Sequence, residues 1–286
     1  MFHFSLLSLL LIGILTAPHV AAAQPLRVMS FNIRYGTAQD GDNHWDQRRE
    51  LVRQTIADFN PDLLGTQETL EFQADYLAEQ LEDYAYFGRS RMKTPNEHCG
   101  IFYRRQRFTQ LAGGHFWLSE TPEVPESKSW DSSLPRMASW VLLSDNQHPS
   151  APAILFVNTH FDHRGATARL EAARLLRQRL PQLQAIADQP LTILTGDFNA
   201  SDDSPPYDAL LADNPPWVDA YRARHPERVP GEGTFNGFEG KTDGAKIDWI
   251  LVDARFDCLS AEIDRSHQGG RFPSDHFPVT AILQLP

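Results

Sequence analysis

The chain has 286 residues, 41% of them hydrophobic and 22% charged, a balance that excludes a disordered or low-complexity protein. Its formal net charge of −11 disfavours indiscriminate binding of long polyanions, although basic runs at Arg89, Arg91 and Lys93 and at Arg104, Arg105 and Arg107 oppose that average locally. Two cysteines, Cys99 and Cys258, exclude a disulfide-stapled scaffold, and two buried thiols are the expectation.

The first residues form an uncharged apolar run, about ten residues long, that ends in Ala21-Ala22-Ala23. That pattern predicts a cleaved secretory signal peptide over residues 1–23, despite the absence of Lys or Arg before the run. The mature chain is then secreted or periplasmic. No later stretch reaches the roughly 18 apolar residues of a membrane span, so no stable membrane insertion is expected. Residues 24–286 are expected to form one domain and to act as a monomer.

Alternation predicts a strand over 26–31, and apolar spacing at Trp45, Val52, Ile56 and Phe59 predicts a helix that ends before Pro61. A short buried strand at 63–65 leads into Thr66-Gln67-Glu68, followed by a helix over 70–81. Strands are predicted at 84–87, 100–103, 108–111, 140–143 and 154–158, with a Ser-, Pro- and Glu-rich loop over 118–136. A long amphipathic helix over 166–180 is expected to stop or kink at Pro181. A strand at 191–194, a short helix at 203–211, a glycine-rich loop at 231–244 and strands at 247–252 and 279–283 complete the chain. Strands outnumber helices, and the helices fall between strand groups. The expected class is α/β: a four-layer sandwich of two packed mixed β-sheets flanked by helices.

Polar side chains recur at the ends of these apolar runs: Asn32, Glu68, His160 with Asp162, Asp197 with Asn199, Asp248, and Asp275 with His276. One such residue would ordinarily be a cap or turn former. Many of them, from different strands, can converge at one end of the sheets. Oxygen donors without a cysteine or multi-histidine set favour a hard cation, Mg²⁺ or Mn²⁺, over zinc. The chain has no Gly-x-x-x-x-Gly-Lys-Ser loop, no Gly-x-Ser-x-Gly elbow and no His-Glu-x-x-His pair.

The order Ser30-Phe31-Asn32-Ile33-Arg34-Tyr35, Gln67-Glu68, Asn158-Thr159-His160, Gly196-Asp197-Phe198-Asn199 and Ser274-Asp275-His276-Phe277-Pro278-Val279 resembles the endonuclease/exonuclease/phosphatase superfamily over essentially the whole mature chain. The resemblance implies Glu68, Asn32 and Asp275 at the metal. Asp197 and Asn199 would orient or deprotonate the attacking water and bind phosphate. His276, paired with Asp248, and His160, oriented by Glu97, would contact the phosphate. Arg34, Asp162 and Arg164 are carried as substrate-binding residues, with Arg136 and Arg271 as further candidate anion ligands. Trp45, Trp130 and Phe235 are aromatics that could line a cleft or fill a core. The implied activity is a metal-dependent hydrolase of phosphoester bonds, phosphodiesterase or phosphatase, with the substrate open. Nucleic acid remains among the candidate substrates: an extracellular nuclease of the deoxyribonuclease type is the alternative, and an inactive binding protein of the same fold the less favoured one.

Overall fold

The computed structural model describes residues 24–212 and 217–286, so the segment read as a signal peptide lies outside the described residues. Strands β1 (Leu26–Asn32), β2 (Leu63–Thr69), β3 (Tyr84–Phe87), β4 (His98–Arg104), β11 (Asp257–Ile263) and β12 (Val279–Gln284) form one sheet in the order β11-β12-β1-β2-β4-β3. The second sheet comprises β5 (Phe108–Trp117), β6 (Met137–Asp145), β7 (Ile154–His160), β8 (Leu191–Asp197), β9 (Trp217–Asp219) and β10 (Asp248–Asp253), in the order β5-β6-β7-β8-β10-β9. Both sheets are mixed, as expected.

Each sheet contains one parallel pair at its centre, β1 with β2 and β7 with β8. A parallel pair needs a crossover, and helices α1 (Trp45–Phe59) and α3 (Ala166–Gln184) supply it. The crossovers leave the carboxyl ends of each parallel pair at the same edge of their sheet, the usual location of a site in α/β architecture.

The burial pattern explains the layers. Val28, Leu63, Ile101, Val141, Phe156, Ile193, Ile250 and Val279 form the core between the sheets. Alternate residues on the same strands face outward: Met29, Phe31, Leu64 and Phe102 meet Val52 and Ile56 of α1 and Leu77 of α2 (Glu71–Gln80). On the other side Leu155, Val157, Leu194 and Trp249 meet Leu176 and Leu180 of α3 and Leu210 of α4 (Pro205–Leu211). Trp45 is 2% exposed and plugs the first of these outer cores. Both cysteines are buried free thiols. Among the described residues no helix is long and apolar enough to cross a membrane.

Among the described residues β9, α5 (Ala220–Arg224), β11 and a single 3-10 turn (Gly41–Asn43) escaped the sequence reading. The first two are too short for a period to register, and β11 has an alternating burial pattern interrupted by a register shift between Cys258 and Ser260. Helix α3 also continues past Pro181, whose own carbonyl accepts Ala185 N–H in the last turn. Strands β5 and β6 run longer than the apolar segments that announced them: the middle of β5 is exposed or half-buried, and β6 adds small or polar residues such as Ala138, Ser139 and Asp145 that are buried all the same.

Two histidines of the sheets are held neutral. His98 Nδ1 and the Tyr86 hydroxyl share a hydrogen bond (2.7 Å), and His115 stacks on Phe87 at 4.8 Å. Burial lowers the pKa of each to about 4. The unfolded chain takes up these protons near pH 6.5, so their contribution is complete above that value and is lost as pH falls towards 4. The thermal midpoint should therefore drop through that window, and drop less in a His98→Gln/His115→Gln double variant. Identical pH dependence in wild type and variant would remove these two groups from the account.

Candidate active site

The parallel pairs bring two sets of polar groups to one cavity of about 720 Å³, whose lining includes Glu68, Asp275, Asp197, His160, Asn199 and His276. Register explains the second set. His160 and Asp248 are the direct neighbours of Asp197 on either side, in β7 and β10.

Glu68 sits in a β-bulge, where β2 passes from the Thr66–Gly100 pair to Thr69–His98. Its φ of 57° turns the carboxylate towards the chain leaving β1, and Tyr35 N–H donates to Oε2 at 2.7 Å. Arg34 is also left-handed (φ 62°). Its carbonyl accepts from Arg48 and from Gln73, which fix this turn from two helices. Arg34 holds Asp40 through Nε and Nη2, and its Nη1 lies 3.2 Å from Asp275 Oδ2. The bond to Asp40 is the main reason its guanidinium pKa is raised.

Buried Asp275 has a carboxyl pKa pushed up, first by burial and, among its neighbours, also by Glu68. The half-site thus crowds negative charge that a cation would relieve. Glu68 and Asp275 offer hard oxygen donors and no thiolate, so the residues present fit such an ion. Asn32 is placed differently from expectation. Its Nδ2 donates to Glu68 Oε1 (3.2 Å) and Asp197 Oδ2 (3.0 Å), while Oδ1 accepts Arg34 N–H. It bridges the two half-sites and turns its oxygen away from the acidic cluster.

In the other half-site, burial alone would raise the Asp197 pKa. His160, His276, Asn199 N–H and the Asn32 amide outweigh that and hold it below the ordinary range. The imidazole Nε2 atoms lie 3.4 Å (His160) and 3.8 Å (His276) from Asp197 Oδ2. His276 Nδ1 bonds Asp248 Oδ2 at 2.9 Å. Burial opposes charge on His276, but Asp248 and then Asp197 raise its pKa well above normal. Asp197, Asp248 and His276 also come close enough to suggest a metal trio, with ligand atoms within 4.8 Å of one another. The Asp248–His276 bond engages the facing atoms of both groups, so the trio is better described as a proton-holding chain.

Glu97 receives three nitrogens on one oxygen: Arg91 Nη1 (2.7 Å), Arg136 Nη1 (2.9 Å) and His160 Nδ1 (3.0 Å). Only Arg136 is aligned for a full hydrogen bond; the other two approach obliquely. Burial would raise the Glu97 pKa, but His160 and the two arginines bring it far down.

This arrangement can be compared with known proteins. The profile of the Endonuclease/Exonuclease/phosphatase family matches residues 29–276. The chain belongs to that family. A mannosyl-6-phosphatase of Bacteroides thetaiotaomicron VPI-5482 is 34% identical, with a TM-score of 0.80 over 90% of this chain and 99% of that one. A crystal structure of an endonuclease/exonuclease/phosphatase family protein from Bacteroides thetaiotaomicron is 33% identical, with a TM-score of 0.82 over 92% and 100% of the two chains. The Ccr4 3′-5′-exoribonuclease subunit of the CCR4-Not complex of Mycosarcoma maydis is 24% identical over 335 residues, covering 92% of this chain and 50% of that protein. The chain therefore spans about half the length of that curated relative. As a member of a family of phosphatases and nucleases, it is a phosphoester hydrolase.

Within this family site, two expected substrate ligands stand elsewhere. Asp162 is buried and accepts from Ser133 N–H and Oγ–H, Leu134 N–H, Arg164 N–H and Gly165 N–H. It organises the loop before α3. Arg164 is exposed and does not line the cavity. Arg271 donates to the Asp42 carbonyl at 2.6 Å, and half-buried Trp130 lines a separate depression with Glu171 and Arg174. Phe235, in contrast, reaches the catalytic cavity. Tyr35, Arg91 and His163 line it too but carry no strand-end signal; only the second histidine of His160-Phe161-Asp162-His163 hinted at one of them.

Asp248→Asn should lower the His276 pKa by at least about one unit, because the largest charge favouring the imidazolium is gone. Imidazole NMR shifts across a pH titration measure this directly. An unchanged midpoint would show that Asp197 alone sustains the protonated ring.

Proposed function

We propose that this protein is an exported, Mg²⁺- or Mn²⁺-dependent phosphatase that removes phosphate from small sugar-type monoesters. The observation that carries this reading is the pairing of the basic residues. A nucleic-acid groove needs several free cations along a track. Arg91 and Arg136 are instead buried around Glu97. Arg104 pairs with Asp83, and Arg107 pairs with Asp62 and Asp145. Half of the residues in the basic runs, Arg91, Arg104 and Arg107, are thus neutralised by carboxylates, while Arg89, Lys93 and Arg105 stay exposed and do not line the catalytic cavity. The 34% identity to a mannosyl-6-phosphatase over 90% of the chain supports the same class, and export rests on the sequence pattern of residues 1–23.

Glu68 and Asp275 would hold the ion, which supplies Lewis-acid polarisation of a phosphate oxygen and offsets charge as it develops there. The protein's own groups do the rest. Asp197, kept ionised between two imidazoles, accepts a proton from the water it orients. Protonated His276 donates to a phosphate oxygen, and Asp248 keeps its proton in place. The Asn199 side-chain amide donates to the Phe161 carbonyl at 3.2 Å and lies 3.1 Å from His160 Nε2, which fixes this side chain beside the attack path. Asn32 keeps the acidic half-site and Asp197 in register.

Hydrolysis of a hexose 6-phosphate, p-nitrophenyl phosphate and bis(p-nitrophenyl) phosphate should be compared with excess EDTA and after restoring Mg²⁺ or Mn²⁺. Monoester turnover should vanish with EDTA and return with either ion. Glu68→Gln and His276→Ala should each lower kcat/KM by about 10²-fold or more. A preference for the diester would sink the monoesterase reading, and activity untouched by EDTA would sink the metal.

A further inference from the structure

We infer that His163 and Phe235 form a leaving-group subsite for a sugar ring, with the hydroxyl edge on one and the carbon face on the other. This rests on the monoesterase reading above and specifies its substrate. The two side chains line the catalytic cavity on different flanks of Asp197. His163 belongs to the His160 flank through Arg136, and Phe235 belongs to the His276 flank.

His163 is a donor of fixed direction. Arg136 Nη2 lies 3.1 Å from His163 Nδ1. A guanidinium can only donate, so Nδ1 must be the unprotonated nitrogen and Nε2 carries the hydrogen. Partial desolvation, followed by the charge of Arg136, lowers the imidazole pKa and keeps the ring neutral. Arg136 is itself immobilised by Glu97, at 4% exposure. The chain Glu97–Arg136–His163 therefore holds one neutral N–H on an exposed ring at the cavity wall. A neutral donor suits a hydroxyl or ether oxygen better than a second phosphate, which would call for charge.

Phe235 is 49% exposed, yet its backbone is tied to the segment that carries His276. It forms a bridge with His276; Asn236 N–H donates to Asp275 O (2.6 Å), and Phe277 N–H donates to Thr234 O (2.7 Å). The ring stands edge-on to His276, with centroids 5.2 Å apart. A rigidly presented apolar face beside a phosphate-contacting imidazole loses little entropy on binding. A pyranose offers both complements, C–H bonds on one face and hydroxyls around the rim. Phosphate on an exocyclic carbon would let the ring reach these two groups while the phosphorus lies at Asp197 and His276.

The test uses hydrolysis-resistant competitors of p-nitrophenyl phosphate turnover by the metal-loaded enzyme: methylphosphonate, the isosteric 6-phosphonate of mannose and the 5′-phosphonate of adenosine. The mannose analogue should compete at least about tenfold more tightly than methylphosphonate, equivalent to about 1.4 kcal/mol of ring contact. His163→Ala and Phe235→Ala, both at exposed side chains, should each shrink that ratio to about threefold or less, and His163→Gln, which keeps an N–H donor, should recover part of it. A wild-type ratio near one, a ratio indifferent to both alanine variants, or tighter competition by the adenosine analogue would each overturn the sugar subsite. Failure of the enzyme to hydrolyse hexose 6-phosphate while the ratio stands would instead condemn the monoesterase reading, so the two are separable.

Discussion

The site depends on one buried side-chain amide, Asn158, which ties the two sheets together. Its Nδ2 donates to the Thr66 and Gly100 carbonyls at 2.8 Å each, and its Oδ1 accepts from Gln67 (2.6 Å) and Thr195 (3.1 Å). Thr66, Gln67 and Gly100 belong to the first sheet, Asn158 and Thr195 to the second. The sheets can come this close because position 65 is glycine. A Cβ there would lie 2.2 Å from Thr195 Oγ1 and 2.7 Å from Asn158 Oδ1. Gln67 immediately precedes Glu68, Asn158 stands two residues before His160, and Thr195 two before Asp197. The same network therefore sets the separation between the acidic half-site and the histidine half-site. An apolar substitution at Asn158 would strand buried polar partners, at about 1–3 kcal/mol for each one left unsatisfied.

The two half-sites have opposite electrostatic problems and a shared solution. Glu68 and Asp275 carry an excess of negative charge, partly countered by the anchored guanidinium of Arg34. Around Glu97 two arginines and an imidazole meet a single carboxylate. Asn32 and Asp197 lie between these regions and are bonded to each other. Arg34, Glu68 and Asn199 adopt left-handed backbone conformations, which cost energy for residues other than glycine and persist only where surroundings dictate them. Arg48 is one such support. It is 2% exposed and donates to the carbonyls of Ile33, Arg34, Asn43 and Pro273, clamping the exit of β1 against the segment that leads to Asp275.

Strand ends were the legible part of this site. Asn32, Glu68, His160, Asp197, Asp248 and Asp275 with His276 each follow or open an apolar run, and topology gathers runs whose ends share an edge. Asp162 shows the limit of that rule: it follows the β7 strand as closely as the others, but its carboxylate turns into five local donors. Of the Arg91–Glu97–Arg136–His163 assembly, the resemblance placed only Glu97 beside His160, and Arg136 was read only as an anion ligand; the assembly as a unit was illegible for another reason. Its members lie up to 72 positions apart by their numbers in loops and strand starts, and no period or spacing connects them. Nothing in the sequence singles out Arg48 on the helix Trp45–Phe59, because its burial depends on carbonyls contributed by three separate segments.

An acidic protein that attacks a phosphate must concentrate positive character without offering a general polyanion surface. Here the arginines nearest the cavity are already matched by Glu97 and Asp40, so their charges orient other groups more than they recruit substrate. In the proposed mechanism, phosphate recognition would be left to the imidazolium of His276, to neutral amide donors, and to the ion suited to Glu68 and Asp275. These elements reward the phosphoryl group and would serve any ester that reaches them. Discrimination must therefore come from what surrounds the leaving group, and the side chains available there are a neutral imidazole donor, a half-exposed phenyl ring and the Tyr35 edge. Under the proposed subsite such a pocket would select by hydroxyl placement and ring face, while the long-range charge of the chain works against an extended anionic polymer.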